Sequence, residues 1–197
     1  IGGDQRVTLA WMEPSATLGA AGITLEAKSA GGRHTLAGTK LFVPDAHTAD
    51  AIVVAARTNT GTGEDGVSLF LVPRQAKGVE VKLLPTMDQT RKLCEVTLTG
   101  VSVGPEALLG APGLAWTPRP LLPPPQGAGV ALCADMCGGA QKVLDMTVEY
   151  AKIRQAFGKP IGSYQGVKHK AADMLVEVEN SKSITYYAAW AVDENVP

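Results

Sequence analysis

The chain has 197 residues, 45% of them hydrophobic, and a formal net charge of −1. That is enough apolar material for one large core or two modest ones. The near-neutral balance excludes the broad basic face of a nucleic-acid protein, and no apolar run reaches membrane-spanning length.

The first 110 residues read as strands. Val7–Glu13 and Gly22–Lys28 are short runs separated by Pro14, Ser15 and Gly19. Arg33–Val43 starts after a Gly31-Gly32 turn and stops at Pro44-Asp45. Ala49–Arg57 is almost continuously apolar, which predicts a strand covered on both faces. Thr58–Gly66 reads as a polar hairpin loop. Gly66–Pro73, Gly78–Met87 and Leu93–Val103 complete the series. Short strands at this regular spacing predict an antiparallel β-barrel or sandwich domain over residues 1–110.

Residues 111–126 change character. Pro112, Pro118, Pro120 and the run Pro123-Pro124-Pro125 forbid a regular helix, so this segment reads as a linker. No proline occurs from Gly127 to Phe157, and neither proline nor glycine from Val167 to Asn195. Gly158 and Pro160 mark a helix stop, and Ser163 is placed to cap the next helix. Two long helices with so short a connection lie antiparallel. The fold class is therefore α+β, with residues 127–197 forming a helical pair. Val167, Ala171, Met174, Leu175 and Val178 form a stripe that Tyr186, Tyr187 and Trp190 extend. Two helices cannot bury both apolar faces alone, so other polypeptide is expected to cover them.

Cys94, Cys133 and Cys137 are odd in number and lack paired spacing, which predicts buried free thiols and suits a reducing cytoplasm. Asp45 and Asp50 beside His47 read as a solvated turn rather than a metal site. His34 sits in a predicted strand with no partner in sequence. Gly61-Thr62-Gly63 lacks the lysine and spacing of a phosphate loop.

The helix connection carries Arg154, Phe157 and Gln165. Singly, they read as a surface charge, an apolar anchor and a helix-start residue. Together they offer a planar fork for phosphate, a face for a flat heterocycle, and an amide.

Tyr150-Ala151-x-x-Arg154-x-x-Phe157-Gly158-x-Pro160-Ile161-x-x-x-Gln165, then Val167-Lys168-His169-x-x-Ala172-Asp173-Met174, resembles the signature of the acyl-CoA dehydrogenase family. The resemblance implies FAD as cofactor. It puts Arg154, Phe157 and Gln165 at positions that reach a neighbouring subunit's FAD, and gives His169 a packing or capping role. Leu9–Gly19 resembles the family segment that lies along the flavin. Glu13-Pro14 is kept, while Met12, Leu18 and Gly19 replace a threonine, a serine and an aspartate. Backbone contacts from Trp11 and Met12 to the flavin are implied, and Leu18 is placed toward the substrate. Leu41–Ala46 resembles the second flavin loop, where Phe42 stacks on the ring. Pro44 stands where a threonine donates hydrogen bonds, which removes about 1 kcal/mol of net interaction.

The resemblance implies a middle β domain, the 111–126 linker and the first two helices of a C-terminal four-helix bundle. An N-terminal helical domain and the remaining bundle helices are expected outside this chain. The implied reaction is oxidation of an acyl-CoA to the trans-2-enoyl-CoA, with electrons passed to an electron-transfer flavoprotein, in a homo- or hetero-oligomer. The family's base comes mostly from the absent helices. Its minority position falls at Ala128-Gly129, neither of which is a base. Asp135, two turns on, reads as structural, so no catalytic residue is assigned. A non-catalytic partner subunit and a flavin-dependent oxidase or monooxygenase are the competing expectations. The chain alone is expected to hold no FAD, to be inactive and to self-associate.

Overall fold

The computed structural model describes residues 3–17, 19–113, 115, 125–194 and 196. The chain divides into two compact units, Ile1–Pro123 and Pro124–Pro197.

The first unit holds eight described strands. They are β1 (Val7–Ala10), β2 (Ala27–Ala30), β3 (Arg33–Pro44), β4 (Ala51–Arg57), β5 (Val67–Pro73), β6 (Val79–Leu83), β7 (Leu93–Val103) and β8 (Leu108–Leu109). One sheet has the order β1-β4-β5-β8 and the other β2-β3-β7-β6. Every pair is antiparallel except β1 with β4, which runs parallel. The described strands close no barrel. Among the described residues one isolated parallel bridge, Glu26 with Arg57, links the lead into β2 to the end of β4. The first expected run shortens to β1, with Trp11–Glu13 outside the ladder, and the second shifts from Gly22–Lys28 to β2 at Ala27–Ala30.

The core follows from alternation along the strands. Leu36 and Val43 of β3, Ile52, Val54 and Ala56 of β4, Phe70 and Val72 of β5, and Val96, Leu98 and Val101 of β7 are buried in one cluster. Each large side chain of this kind contributes about 1.5–3 kcal/mol on burial. A second cluster of Ile23, Ala55, Val67, Leu69 and Ala115 covers the other face of β4 and β5. That explains the continuous apolar run in β4. Arg57, 6% exposed, ties this second layer down by donating to the carbonyls of Ile23 at 2.6 Å, Ala20 at 2.6 Å and Gly63 at 3.0 Å.

The second unit is a helical hairpin: α1 (Pro125–Ile153), β9 (Gln155–Ala156), β10 (Lys159–Pro160), a 3-10 turn (Ile161–Ser163) and α2 (Gln165–Asp193). Each helix has 29 residues, a length of about 44 Å. Leu144 and Val178 are buried, Cys137 Sγ lies 3.5 Å from Thr185 Oγ1, and Lys182 Nζ donates to Gln141 Oε1. These pairs place early α1 beside late α2, so the helices are antiparallel. Among the described residues no helix is long and apolar enough to cross a membrane.

Two local expectations are corrected. Ser163 does not cap α2: its hydroxyl donates to the Pro160 carbonyl at 2.7 Å, and Tyr164 occupies the N-cap position without a side-chain capping bond. Cys94 is buried, but Cys133 is exposed and Cys137 only half-buried. Leu175, Tyr186, Tyr187 and Trp190 are exposed, in line with the expectation that polypeptide outside this chain covers these faces. The cause is common to both helical cases: one partner helix covers only a narrow seam.

Candidate functional site

In the first unit, the chain leaves β1 after Ala10 and runs as Trp11-Met12-Glu13 past β3. Lys40, fully buried in β3, donates from Nζ to the Trp11 carbonyl at 3.1 Å and to Glu13 Oε1 at 2.7 Å. The Leu41 amide donates to the Met12 carbonyl at 2.8 Å. Glu13 also accepts from the Thr24 amide at 3.0 Å, the Thr24 hydroxyl and the Leu25 amide at 3.1 Å. Burial pushes the Glu13 carboxyl up, but the Lys40 ammonium and the Thr24 and Leu25 donors outweigh it, leaving the group below its ordinary value. Burial holds the Lys40 ammonium below its ordinary value despite Glu13.

Lys40 was not among the residues singled out from sequence. A lysine in a strand normally points to water. The available signal was parity: Leu36, Gly38 and Lys40 share one face of β3, and Leu36 is core.

Phe42 follows at a break in the β3–β7 register, between Lys40 and Val43. Its φ is 54°, unusual for a bulky residue, and its ring is 47% exposed. Such strain persists only where the surroundings impose it, and it concentrates at functional sites. Pro44 ends β3. It has no N–H, and its carbonyl accepts from the Thr8 hydroxyl. The next amide, Asp45, is engaged by the Lys92 carbonyl at 2.9 Å. Neither residue can therefore donate to a ligand. The Lys40 and Leu41 bonds thus bring Trp11 and Met12 beside the part of β3 that leads into Phe42 and Pro44. Leu18 lies outside the described residues.

In the second unit, β9 and β10 pair as a hairpin with Phe157 and Gly158 at its tip. Both have positive φ, 51° and 79°. A two-residue turn of this kind suits the twist of the strands, but its first position favours asparagine or glycine. Phe157 is 96% exposed there, with only an edge-on contact to Tyr164 at 6.4 Å between ring centroids. Tyr164 is fixed beneath it by donating to the Ala156 carbonyl at 2.9 Å, and Lys159 Nζ sits 4.6 Å from its ring. Gly162 packs closely on α1: a Cβ there would lie 3.0 Å from the Ala151 carbonyl oxygen, a tight contact. Arg154 and Gln165 are exposed at the two ends of this connection. Among the described residues the Arg154 guanidinium makes no hydrogen bond or ion pair. The hairpin leaves an open cleft of about 400 Å³ along the helices, lined by Val148, Ala151, Val167 and Ala171 with Lys152 and Lys168.

Asp135 and His169 are exposed on their helices. Among the described residues no cluster of three His, Cys, Asp or Glu side chains exists to hold a metal. His47 Nδ1 lies 3.8 Å from Cys94 Sγ, and Asp50 pairs with Arg6 at 3.3 Å. His34 packs its ring on Phe70 at 4.9 Å.

A two-sheet strand unit, a helical hairpin and exposed aromatic loops make up the scaffold. The family pattern described as "Acyl-CoA dehydrogenase, middle domain" matches residues 8–101, and "Acyl-CoA dehydrogenase, C-terminal domain" matches residues 128–197. The probable acyl-CoA dehydrogenase YngJ of Bacillus subtilis is 32% identical, over 94% of this chain and 49% of its own length. The butyryl-CoA dehydrogenase structure from Megasphaera elsdenii has a TM-score of 0.82 at 28% identity, covering 98% of this chain and 51% of that one. A glutaryl-CoA dehydrogenase from Mycobacterium smegmatis, in complex with FADH2, has a TM-score of 0.78 at 26% identity, covering 97% and 48%. The chain belongs to the acyl-CoA dehydrogenase family. It spans about half the length of the relatives it matches.

Proposed function

We propose that this chain is the middle β domain (1–110), linker (111–126) and first two bundle helices (127–197) of an FAD-dependent dehydrogenase that oxidises an acyl-CoA thioester. The observation that carries the reading is the pair of exposed aromatic rings at positive φ, Phe42 and Phe157, in the two family flavin loops. The residues fit FAD in part. Phe42 gives a face for the ring system, with the Trp11–Met12 backbone alongside. Toward a neighbouring subunit's FAD, Arg154 gives a fork for phosphate, Phe157 a face for a flat heterocycle, and Gln165 an amide. The donor usual at Pro44 is missing.

When bound, the flavin would accept hydride from the β carbon of the substrate. The chain's own residues bind and orient; none of them takes the α proton. Asp135 is kept as structural, and the base is assigned to polypeptide outside this chain. The product is the trans-2-enoyl-CoA, the acceptor an electron-transfer flavoprotein, and the assembly a homo- or hetero-oligomer. Leu18 is assigned to the substrate side. The exposed, unbridged Cys133 favours a reducing, cytoplasmic setting.

A second reading is favoured by Pro44 and Asp45, which leave no amide for the reactive edge of a flavin. In it, the protein is a non-catalytic subunit that lends Arg154, Phe157 and Gln165 to a partner's FAD. The test is the visible spectrum of the purified complete polypeptide. A yellow protein bleached by an acyl-CoA supports the dehydrogenase. A colourless one, active only with a partner, supports the scaffold. Rapid recolouring in air without an acceptor protein supports an oxidase or monooxygenase.

A further inference from the structure

We propose that Lys40 and Glu13 are positioning residues that fix Trp11–Met12 against Phe42 before any cofactor binds, so that this wall is preformed. The proposal rests on the flavin reading above.

The argument begins with what the ladders leave unsupported. The pairing of β1 with β4 ends at Ala10, opposite Val54. Residues 11–13 therefore need other anchors. Each has one on or beside β3: Trp11 through Lys40 Nζ, Met12 through the Leu41 amide, and Glu13 through Lys40 again. The second carboxylate oxygen and its neighbour then bind the Thr24–Leu25 strand lead, closing the arrangement from the opposite side.

An apolar pair of similar volume would hold two surfaces together at least as well, because burying an ammonium and a carboxylate is costly. What the ion pair adds is direction. One Nζ bridges a side-chain oxygen and a main-chain carbonyl, which sets the orientation of the Trp11 peptide. On the β3 side, Leu41 is held to Met12 while Val43 returns to the ladder opposite Cys94. Phe42 is caught between these two fixed points, and that imposes its φ of 54°. Lys40 and Glu13 are themselves buried, at 0% and 5% exposure, so they act through the backbone they hold.

The test compares the complete polypeptide with its Lys40→Met, Glu13→Gln double variant, which removes both charges with little change of volume. Amide hydrogen exchange is read first without flavin. The Leu41 amide should exchange at least tenfold faster in the variant, with the β4 amides of Ile52–Val54 unchanged. In the wild type, adding FAD should leave Leu41 protection within twofold. The dissociation constant for FAD should rise about tenfold in the variant. Unchanged Leu41 exchange in the variant overturns the proposal. So does equal acceleration in β4, which would make the pair a support of the whole sheet. A tenfold slowing of Leu41 on FAD addition shows that the wall forms on binding, and also overturns it. If the wild type takes up no FAD, the function reading fails, and exchange in the flavin-free protein still decides the positioning role.

Discussion

Leu41 donates its amide to the carbonyl of Met12 at 2.8 Å, although 28 residues of chain separate Lys40's neighbour from the segment it holds in no ladder. This bond joins the two segments that the family resemblance implies lie along the flavin. One residue later, Phe42 turns into positive φ with its ring half in solvent. The relationship makes the first unit an edge with a defined aromatic step.

Removing Lys40 alone should be far worse than neutralising both partners. Lys40→Met leaves the Glu13 carboxylate buried without its counter-charge, which costs about 3–5 kcal/mol. The Lys40→Met, Glu13→Gln pair should stay within about 1–2 kcal/mol of wild type. Urea denaturation of wild type, both single variants and the double variant measures these values, and near-additive losses would contradict the pairing.

Acid should weaken the fold through Glu13. Its folded carboxyl lies below the ordinary value of 4.5, so its stabilisation is full above the unfolded value. That stabilisation is lost as pH falls through the lower folded value. The urea midpoint should therefore drop below about pH 4.5. Glu13→Gln should flatten this part of the profile.

At the hairpin tip, Phe157→Asn should be stabilising. Asparagine with Gly158 satisfies the turn, relieving about 1 kcal/mol of strain, against a smaller loss of the edge contact to Tyr164. Thermal melting reads the gain, and FAD titration of the complete protein should show weaker binding. A variant that is both less stable and fully FAD-competent contradicts the role given to this ring.

The helical pair should separate buried from exposed apolar residues. Leu144→Ala removes a side chain that is 4% exposed and should cost about 2–5 kcal/mol. Leu132→Ala, at 59% exposure, should cost under about 0.5 kcal/mol in this chain alone. Leu132, Met136, Val143, Met146, Tyr150 and Ile153 recur at helical spacing and stay exposed. They should drive self-association, which light scattering detects and Met146→Glu, Ile153→Glu suppresses.

Strand positions were legible wherever alternation and glycine turns agreed, as in β3, β5 and β7. The parallel pairing of β1 with β4 was not, since apolar pattern carries no strand direction. The loop signature identified Arg154, Phe157 and Gln165 as a group because many residues agree at fixed spacing. Lys40 escaped because its charge argues for solvent and only its register argues for the core. The Ser163 cap failed for a local reason: the Pro160 carbonyl competes for the same hydroxyl one turn too early.

The most direct test is the FAD content of the complete polypeptide and of its Arg154→Gln, Phe157→Asn variant, after gel filtration. Arg154 is exposed, so the variant should fold, with a stability change under about 0.5 kcal/mol from that position. The account predicts close to one FAD per chain for wild type and a loss of most of it in the variant. Equal FAD retention by both proteins would contradict it.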